Sequence, residues 1–194
     1  KNKLLFSAGQ KAESLYAVRS GMLKTFSTSQ QGYDIVTGFH MAGDVVGFDA
    51  VSEGNHKVFA QAIETSMICE IPLNVLDELS GEMPAFKRQL MRLMSNEITD
   101  MQERLQFLNR KNAEERLAAF LYTYGQRLAA RGQSATEFNL VMPRGDIGSY
   151  IDIRIETISR LLGHFQREGI MKVDGKFITL LKPEELGDIG GCSG

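Results

Sequence analysis

The first 73 residues alternate between short apolar runs and glycine-containing turns. The segment 14–26, SLYAVRSGMLKTF, is apolar up to Gly21 and resumes after it, and further glycines at positions 32, 38 and 43 give turn signals. The segment 57–72, KVFAQAIETSMICEIP, predicts two more strands that end at the proline. Short strands separated by glycine turns predict an antiparallel β-roll rather than alternating strands and helices.

After Pro72 the pattern becomes helical. The segment 72–84, PLNVLDELSGEMP, predicts short helical pieces around a turn at Gly81, and residues 85–110 contain neither glycine nor proline. In the second segment apolar residues recur at intervals of 4, 3, 4 and 3, namely Met94, Ile98, Met101, Leu105 and Leu108. This heptad spacing predicts a helix that pairs with its copy in a homodimer, and a helix packed on its own domain is the alternative.

A further helix is predicted between Asn112 and Gly132. Asn112 followed by Glu115 fits a capping box, and glycine is a common stop signal after the last helical residue. The residues 110–112 are therefore expected to form a hinge between a sensor half and an output half.

The segment 144–169, RGDIGSYIDIRIETISRLLGHFQREG, predicts two short helices with a tight joint. The first helix carries an apolar face made by Ile147, Tyr150 and Ile151. The second begins near Ile155 and carries its own, made by Ile158, Leu161, Leu162 and Phe165. Two helices that pack such faces across a turn of three or four residues form a helix-turn-helix.

The segment 170–180, IMKVDGKFITL, predicts a wing behind these helices. Its two β-prone runs are joined by Asp174-Gly175, which favours a hairpin with a type I′ turn. The predicted fold is α+β, with an N-terminal antiparallel β-roll of the cyclic-nucleotide-binding kind, a long dimerisation helix and a C-terminal winged helix-turn-helix. The expected divisions are 1–83 for the β-roll, 84–111 for the dimerisation helix and hinge, 112–182 for the winged helix and 183–194 for a tail.

The outer face of the second helix carries side chains that suit DNA. Arg160 can donate two parallel hydrogen bonds to guanine, Glu156 can accept one from cytosine, and Thr157 and Ser159 can reach bases or phosphates. An ordinary solvated face is the plain alternative for any one of them. The ordered combination with a tight turn, a wing and an upstream dimer helix favours DNA binding.

The overall charge of −2 hides an uneven distribution. Residues 1–83 hold 6 basic and 10 acidic side chains, whereas residues 84–131 hold 9 and 5, and residues 140–182 hold 7 and 5. The acidity therefore lies in the sensor half and the tail, and the net charge does not argue against nucleic acid as a partner.

Other function classes find little support. No apolar run approaches 18 residues and no signal peptide precedes the first strand, so no membrane segment is expected and the cytoplasm is the expected location. Cys69 and Cys192 make neither a disulfide framework nor a complete metal site. No catalytic triad, P-loop or carboxylate pair stands out, so no enzyme activity is predicted. Since Lys1 already stands close to a predicted strand, we expect an N-terminal piece to be missing.

The order of these elements resembles the bacterial Crp–Fnr regulator superfamily across essentially the whole chain. The stretches SLYAVRSGMLK, GFHMAGDVVGFDA, FAQAIETSMICEIP, KNAEERLAAFLY and RGDIGSYI…ETISRLLGHFQREG resemble its oxygen-responsive Fnr branch. The resemblance implies a homodimeric transcription regulator that reads an inverted repeat in double-stranded DNA. The base-reading motif E-x-x-S-R of the family falls on Glu156, Ser159 and Arg160. By the same analogy, loops at 29–33 and 131–133 are expected to contact RNA polymerase.

The resemblance also bears on the signal. Cyclic-nucleotide binders of the superfamily hold the phosphate with a Gly-Glu turn and a later arginine pair, where this chain has Phe48 and then Val58 and Phe59. A phosphate without the arginine loses its charge-assisted hydrogen bonds, so no cyclic nucleotide is expected. The Fnr branch instead holds a 4Fe–4S cluster on four cysteines, and Cys69 matches the fourth. We expect the cluster in the intact parent protein and expect this chain alone to be unable to assemble it.

Alternatives to the oxygen sensor remain open. The chain could be a cluster-less relative, or a regulator of the same family that responds to another small molecule. Haem bound through His40 or His56 is a further alternative, although ordinary core or surface roles are the simpler interpretation of these histidines and of His164. A redox protein that uses Cys69 without DNA is a rival of another class.

Two departures from the family pattern carry expectations. Asp152 replaces the usual glycine of the helix-turn-helix joint and must tolerate a positive φ. Met101 replaces an acidic residue on the seam and favours pairing without a signal.

Overall fold

The β-roll predicted for the first part of the chain is present. In this computed structural model, which describes residues 1–110 and 112–192, the roll consists of β1 (Leu4–Phe6), β2 (Ser14–Ser20), β3 (Met22–Thr28), β4 (Asp34–Met41), β5 (Val45–Val46), β6 (Phe59–Ala62) and β7 (Met67–Pro72). One antiparallel sheet has the order β1-β6-β3-β4 and a second has the order β5-β2-β7. Their inner faces enclose a core of Phe6, Tyr16, Val18, Leu23, Val46 and Ala60.

Two glycines that were expected to mark turns lie inside regular elements. Gly38 belongs to β4, at a register shift against β3, and a side chain there would press on His40 and Thr25. The glycine therefore makes room for a buried side-chain contact rather than for a turn, as glycines at β-bulges often do. Gly81 lies within α1 (Leu73–Glu82), which is one continuous helix with Met83 as its C-cap rather than two short pieces.

The long helix α2 (Pro84–Leu108) follows at once and carries two apolar faces. Phe86, Leu90 and Leu93 pack against a second apolar core of the β-roll. This core is formed by Leu15, Val45 and Leu76. The heptad residues lie about a quarter turn away on the helix, and all of them except half-buried Leu108 are exposed. Helix α2 is thus already anchored to its domain by a face other than the seam.

The output half is a second compact unit, Glu103–Gly194, and the first is Lys1–Gln102. The second unit contains α3 (Ala113–Ala129), β8 (Glu137–Asn139), α4 (Arg144–Ile151), α5 (Ile155–Arg167), β9 (Met171–Asp174), β10 (Phe177–Leu180) and α6 (Pro183–Ile189). The N-cap half of the predicted capping box at the start of α3 is confirmed, since the Asn112 side chain accepts a hydrogen bond from the Glu115 N–H at 2.9 Å, and the Glu115 carboxylate accepts from the Asn112 side-chain amide at 2.8 Å.

The division between the units differs from the expected hinge at 110–112, of which Lys111 lies outside the described residues. The last turns of α2 belong to the output unit because Phe107 is buried there against the rings of Phe120 and Tyr150, at centroid distances of 6.4 and 6.3 Å. The segment predicted as a tail likewise contributes to this unit: Leu186 of α6 is fully buried, and Gly190 allows α6 to approach Ala119. Ser193 and Gly194 lie outside the described residues.

The wing is confirmed as a hairpin, but its turn differs from the prediction. Asp174 pairs with Phe177, so the two turn residues are Gly175 and Lys176 rather than Asp174 and Gly175. Only Gly175 of this pair has a positive φ, whereas a type I′ turn needs a positive φ at both positions. Strand β8, which the sequence pattern did not reveal, pairs with β10 and completes a three-stranded sheet.

Candidate functional site

The joint between α4 and α5 consists of three residues, 152–154, as predicted. Asp152 adopts the left-handed conformation at φ 55°, which confirms that aspartate takes the place of the expected glycine. The Arg116 side chain of α3 holds it there, donating to the Asp152 carbonyl at 3.1 Å and to its carboxylate at 3.3 Å. The conformation that aspartate tolerates is therefore also stabilised by a neighbouring helix.

The close approach of the two helices depends on Gly148. The Ile153 N–H donates to the Gly148 carbonyl at 2.9 Å, so the chain folds back directly over this residue. A methyl group at Gly148 would overlap the carbonyl oxygen of Ile153 and press on the Ile158 side chain. The role of Gly148 could not be predicted from the sequence, because a glycine inside a helix carries no local sign of the contact that requires it.

Both predicted inner faces are confirmed. The apolar residues named for the two helices are all buried, namely Ile147, Tyr150, Ile151, Ile158, Leu161, Leu162 and Phe165. Helix α5 ends in a Schellman motif in which Gly169 takes a positive φ and the Ile170 N–H donates to the Phe165 carbonyl at 2.9 Å. This stop leads the chain straight into the wing strand β9.

The outer face of α5 brings three of the four predicted DNA-reading residues together at the surface. Glu156, Ser159 and Arg160 are exposed on successive turns, whereas Thr157 is only half-exposed. Carboxylate, hydroxyl and guanidinium groups at these positions can accept from and donate to base edges in a major groove. Arg154 and Arg167 are also exposed, at the two ends of the helix, where they suit phosphates or solvent.

Two further residues of this surface were not predicted from the sequence. Ile155, the first residue of α5, is 47% exposed, so it is not part of the buried face that its apolar character suggested. Arg144, the first residue of α4, donates a hydrogen bond from Nη1 to the Ser159 Oγ at 3.0 Å. Neither had a sequence signal: Ile155 stands three positions before Ile158 and so fits the spacing of the buried face, and Arg144 lies on another helix.

The predicted dimer seam is a stripe of uncovered apolar side chains on α2. Met94, Ile98, Met101 and Leu105 are 41–59% exposed, and Leu108 is half-buried. Met91, one heptad before Ile98, is 62% exposed and extends the stripe by one turn, although it was not named from the sequence. Apolar stripes of this length on a monomer are typical of surfaces that another helix covers.

The two cysteines lie in different units and have different surroundings. Cys69 is exposed on β7 opposite Ala17, and its sulfur lies 4.0 Å from the Glu70 carbonyl. Cys192 borders a cavity of about 380 Å³ in the output unit, and burial raises the pKa of its thiol, although Arg110 and Thr123 oppose that shift. Among residues 1–110 and 112–192, no group of three or more His, Cys, Asp or Glu side chains is arranged to hold a metal ion.

The Asp49 carboxylate connects the two segments in which cyclic-nucleotide binders carry the residues that hold the phosphate. Asp49 Oδ2 accepts hydrogen bonds from the N–H groups of Lys57 at 2.6 Å and Val58 at 3.4 Å, and its Oδ1 lies 3.3 Å from His56 Nδ1. Phe48 and Val58 pack against the two β-roll cores, and Phe59 stacks on Phe26 at 5.2 Å. The backbone donors of this corner therefore already have an anionic acceptor from the chain itself.

The three histidines take core and surface positions. His56 is buried, with its ring stacked on Phe6 at 3.7 Å. His40 is buried as well, and its Nε2 lies 3.0 Å from the Thr25 hydroxyl. His164 lies at the surface between Glu114 and Glu168. The rings of His40 and His164 thus have polar protein neighbours, whereas Nε2 of His56 is buried without a hydrogen-bond partner.

Both halves of the chain match models of known protein families. A model of the Crp-like helix-turn-helix domain matches residues 115–189, and a model of the cyclic nucleotide-binding domain matches residues 1–82. The fumarate and nitrate reduction regulatory protein of Escherichia coli K12 is 53% identical over 191 residues, which cover 98% of this chain and 76% of the relative. The protein of the same description from Vibrio cholerae is 54% identical over 193 residues, covering 100% and 77%.

Solved structures agree with the architecture. FixK2 from Bradyrhizobium japonicum superposes with a TM-score of 0.89 at 27% identity, covering 100% of this chain and 96% of its own. TTHB099, a transcriptional regulator from Thermus thermophilus, superposes with a TM-score of 0.78 over 98% and 94%, and its 17% identity speaks for the fold alone. In the part of the chain that the structure describes, no helix has the length and apolar character to cross a membrane.

Replacing Gly148 with alanine should weaken the output unit. The added methyl group must push the Ile153 carbonyl away, so the free energy of unfolding should fall by about 1–3 kcal/mol, as for other overpacked sites. Gly145 is the matched control: it lies in the same helix with nothing near its missing Cβ, so Gly145→Ala should be neutral or stabilise by up to about 1 kcal/mol. Urea denaturation followed by circular dichroism measures both, and equal stabilities would contradict the role of Gly148.

Replacing Asp49 with alanine should destabilise the β-roll. The N–H groups of Lys57 and Val58 lose their acceptor, and a loss of about 1 kcal/mol is expected, because one of these hydrogen bonds is exposed and the other only partly buried. Asp49→Asn keeps one acceptor oxygen and should lose less. Thermal unfolding of the two variants provides the measurement, and an unchanged midpoint in Asp49→Ala would show that the corner does not need the carboxylate.

Proposed function

The chain belongs to the Crp–Fnr family of DNA-binding transcription regulators, and we propose that it acts as a homodimer that reads an inverted repeat with one helix α5 in each half-site. Its relatives are regulators by description, and the chain is accordingly a regulator rather than an enzyme. The observation that carries the proposal is the outer face of α5, where Glu156, Ser159 and Arg160 stand exposed above a fully buried inner face.

The residue types of this face suit direct reading of bases. Arg160 can span O6 and N7 of a guanine, Glu156 can accept from the amino group of a cytosine, and exposed Ile155 can contact the methyl group of a thymine. Arg154 and Arg167 at the helix ends are assigned to phosphates, which position a protein without reading sequence. Thr157, half-covered by its own domain, is assigned a secondary contact.

Pairing through α2 is supported by the different contacts of its two apolar faces. Phe86, Leu90 and Leu93 already attach the helix to the β-roll, so the stripe from Met91 to Leu108 is not needed for that purpose. Pairing two copies along the stripe would remove it from water and bring two output units together. Half-sites one helical turn of DNA apart are then the expected target.

The proposed signal is oxygen, as in the Fnr branch that the sequence resembles. Cys69 is exposed on β7, so its thiol is accessible to a cluster that further cysteines would also have to hold. The residues present do not fit a 4Fe–4S cluster by themselves, because the second cysteine, Cys192, belongs to the other unit and a cluster takes four such ligands. The chain spans about three quarters of the length of the curated relatives it matches.

Cyclic nucleotide is not the proposed ligand, although the β-roll has the fold of that domain family. The positions that would hold the phosphate carry Phe48, Val58 and Phe59, whose side chains pack into the roll. Asp49 adds a negative charge where an anion would have to bind. A phosphate would meet repulsion there rather than the arginine that it requires.

RNA polymerase is the proposed protein partner. The turn that ends at Tyr33 leaves that ring 70% exposed, followed by exposed Ile35 on β4. Exposed aromatic and aliphatic side chains on a loop are typical of protein contacts. The second predicted contact, 131–133, lies in the turn after α3.

Arg160→Ala should lower the affinity for a specific site by about 5- to 150-fold and relax one base position, because one bidentate contact contributes about 1–3 kcal/mol. Duplexes selected from a randomised library by the wild-type chain supply the specific site, and binding is measured by fluorescence anisotropy at several salt concentrations. Arg167→Ala removes the same charge at the far end of α5 and should weaken specific and random DNA alike.

Two results would count against this proposal. Equal losses on specific and random DNA in Arg160→Ala would refute base reading by Arg160. A wild-type chain that enriches no sequence at all, or whose binding does not weaken steeply with salt, would refute sequence-specific DNA binding.

Ile98→Asp should convert a dimer to a monomer. The carboxylate would be buried without a partner in both copies, which costs about 3 kcal/mol or more and raises the dissociation constant over 100-fold. Asn96→Asp places the same charge on the opposite, exposed side of α2 and should leave the dimer intact. Sedimentation velocity under air at micromolar concentration tests both, and a wild-type chain that sediments only as a monomer would contradict pairing without a cluster.

A further inference from the structure

Arg144 holds a position that the helix itself does not favour. It is the exposed first residue of α4, where the positive end of the helix dipole disfavours a cation. The N-cap residue, Pro143, makes no side-chain hydrogen bond to the first turn of the helix, so capping gives no reason for an arginine at position 144. The contact that Arg144 makes instead is with the recognition helix, from Nη1 to the Ser159 Oγ at 3.0 Å.

This contact determines what the Ser159 hydroxyl can offer to DNA. A hydroxyl has one proton to donate and two lone pairs to accept with. Its proton goes to the Ile155 carbonyl, one turn earlier, at 3.1 Å, and one lone pair takes the hydrogen bond from Arg144. One acceptor lone pair therefore remains for a partner in the groove.

An acceptor in the major groove selects bases that present an amino group. On the strand that the acceptor faces, adenine offers its N6 amino group and cytosine its N4 amino group, whereas guanine and thymine present only acceptors at the corresponding edges. Because every base pair carries one amino group, the selection separates A·T and C·G pairs from T·A and G·C pairs. A serine free to rotate could donate to either of those acceptors, and its discrimination would be lower. The guanidinium of Arg144 restricts that freedom, because it occupies one side of Oγ and favours the rotamer in which the proton stays on the Ile155 carbonyl.

We propose that Arg144 is a positioning residue of the DNA-reading surface, which fixes Ser159 as an acceptor and so makes its base position select adenine or cytosine. The inference rests on the proposed function, because it refines how α5 reads a half-site. It differs from a phosphate contact, which would add affinity for every sequence without changing selectivity.

The test is a double-mutant cycle on base selectivity. Wild type, Arg144→Ala, Ser159→Ala and the double variant are measured against the library-selected duplex and a panel with each half-site base pair replaced in turn. Ser159→Ala identifies the position that Ser159 reads, as the one where discrimination falls by about 5-fold, the loss expected for one hydrogen bond. Arg144→Ala should lose discrimination at that same position, and Arg144→Ala in the Ser159→Ala background should change it by less than about 2-fold.

Arg144→Lys separates charge from geometry. It keeps the positive charge and hence the salt dependence. Because Nζ of lysine lies one atom nearer the backbone than Nη1 of arginine, it should not reach the Ser159 hydroxyl from the same side-chain direction, so selectivity at that position should still fall. Thermal unfolding of each variant checks that the output unit is intact, which is expected because residue 144 is exposed.

Three results would overturn the inference. The first is a loss of affinity in Arg144→Ala that is equal on every duplex and additive with Ser159→Ala, which is the signature of a phosphate contact. The second is a half-site at whose Ser159 position the preference fails to separate A·T and C·G pairs from T·A and G·C pairs, as a single acceptor facing one strand must do. The third is full selectivity in Arg144→Lys. Failure of the wild-type chain to enrich any sequence is a different outcome, since it refutes the proposed function and leaves no selectivity to position.

Discussion

The three-residue crossing between α4 and α5 is the constraint on which the output unit depends. The helices can bury their apolar faces against each other only if the chain reverses over Gly148, with the Ile153 N–H bonded to its carbonyl. Asp152 must then take a left-handed conformation, which Arg116 secures from α3. Because the crossing fixes the rotation of α5 about its axis, it also decides that Glu156, Ser159 and Arg160 point outward together. The reading surface is thus a consequence of the packing beneath it.

Features that depend on neighbouring residues in the chain could be predicted from the sequence. The buried faces of α4 and α5, the capping box at Asn112 and the positive φ of Asp152 all follow from local spacing or residue type. The family, the fold class and the regulatory role were also recognised from stretches of sequence, and comparison with known proteins confirms all three.

Features that depend on through-space contacts could not be predicted. Gly38 and Gly148 look like turn signals or helix defects until the side chain or carbonyl that needs their space is known. The bond from Arg144 to Ser159 joins residues fifteen positions apart on different helices, and Asp49 meets backbone donors eight and nine positions away. A single sequence contains no period that relates such pairs. The turn of the wing was misassigned for a related reason, because pairing with β8 and β9 sets the register that places Gly175 first.

The carboxylate of Asp49 has a consequence for how the β-roll can be controlled. An anion that diffuses into a site fills it in proportion to its concentration in the cell, and the occupancy falls when the supply falls. An anion that is covalently part of the chain has a fixed and very high effective concentration, so the corner stays filled whatever the metabolic state. If the Asp49 corner replaces the phosphate site as proposed, the fold of a receptor for a soluble messenger is kept while its dose response is removed. A variable signal would then enter the roll through another face of the molecule.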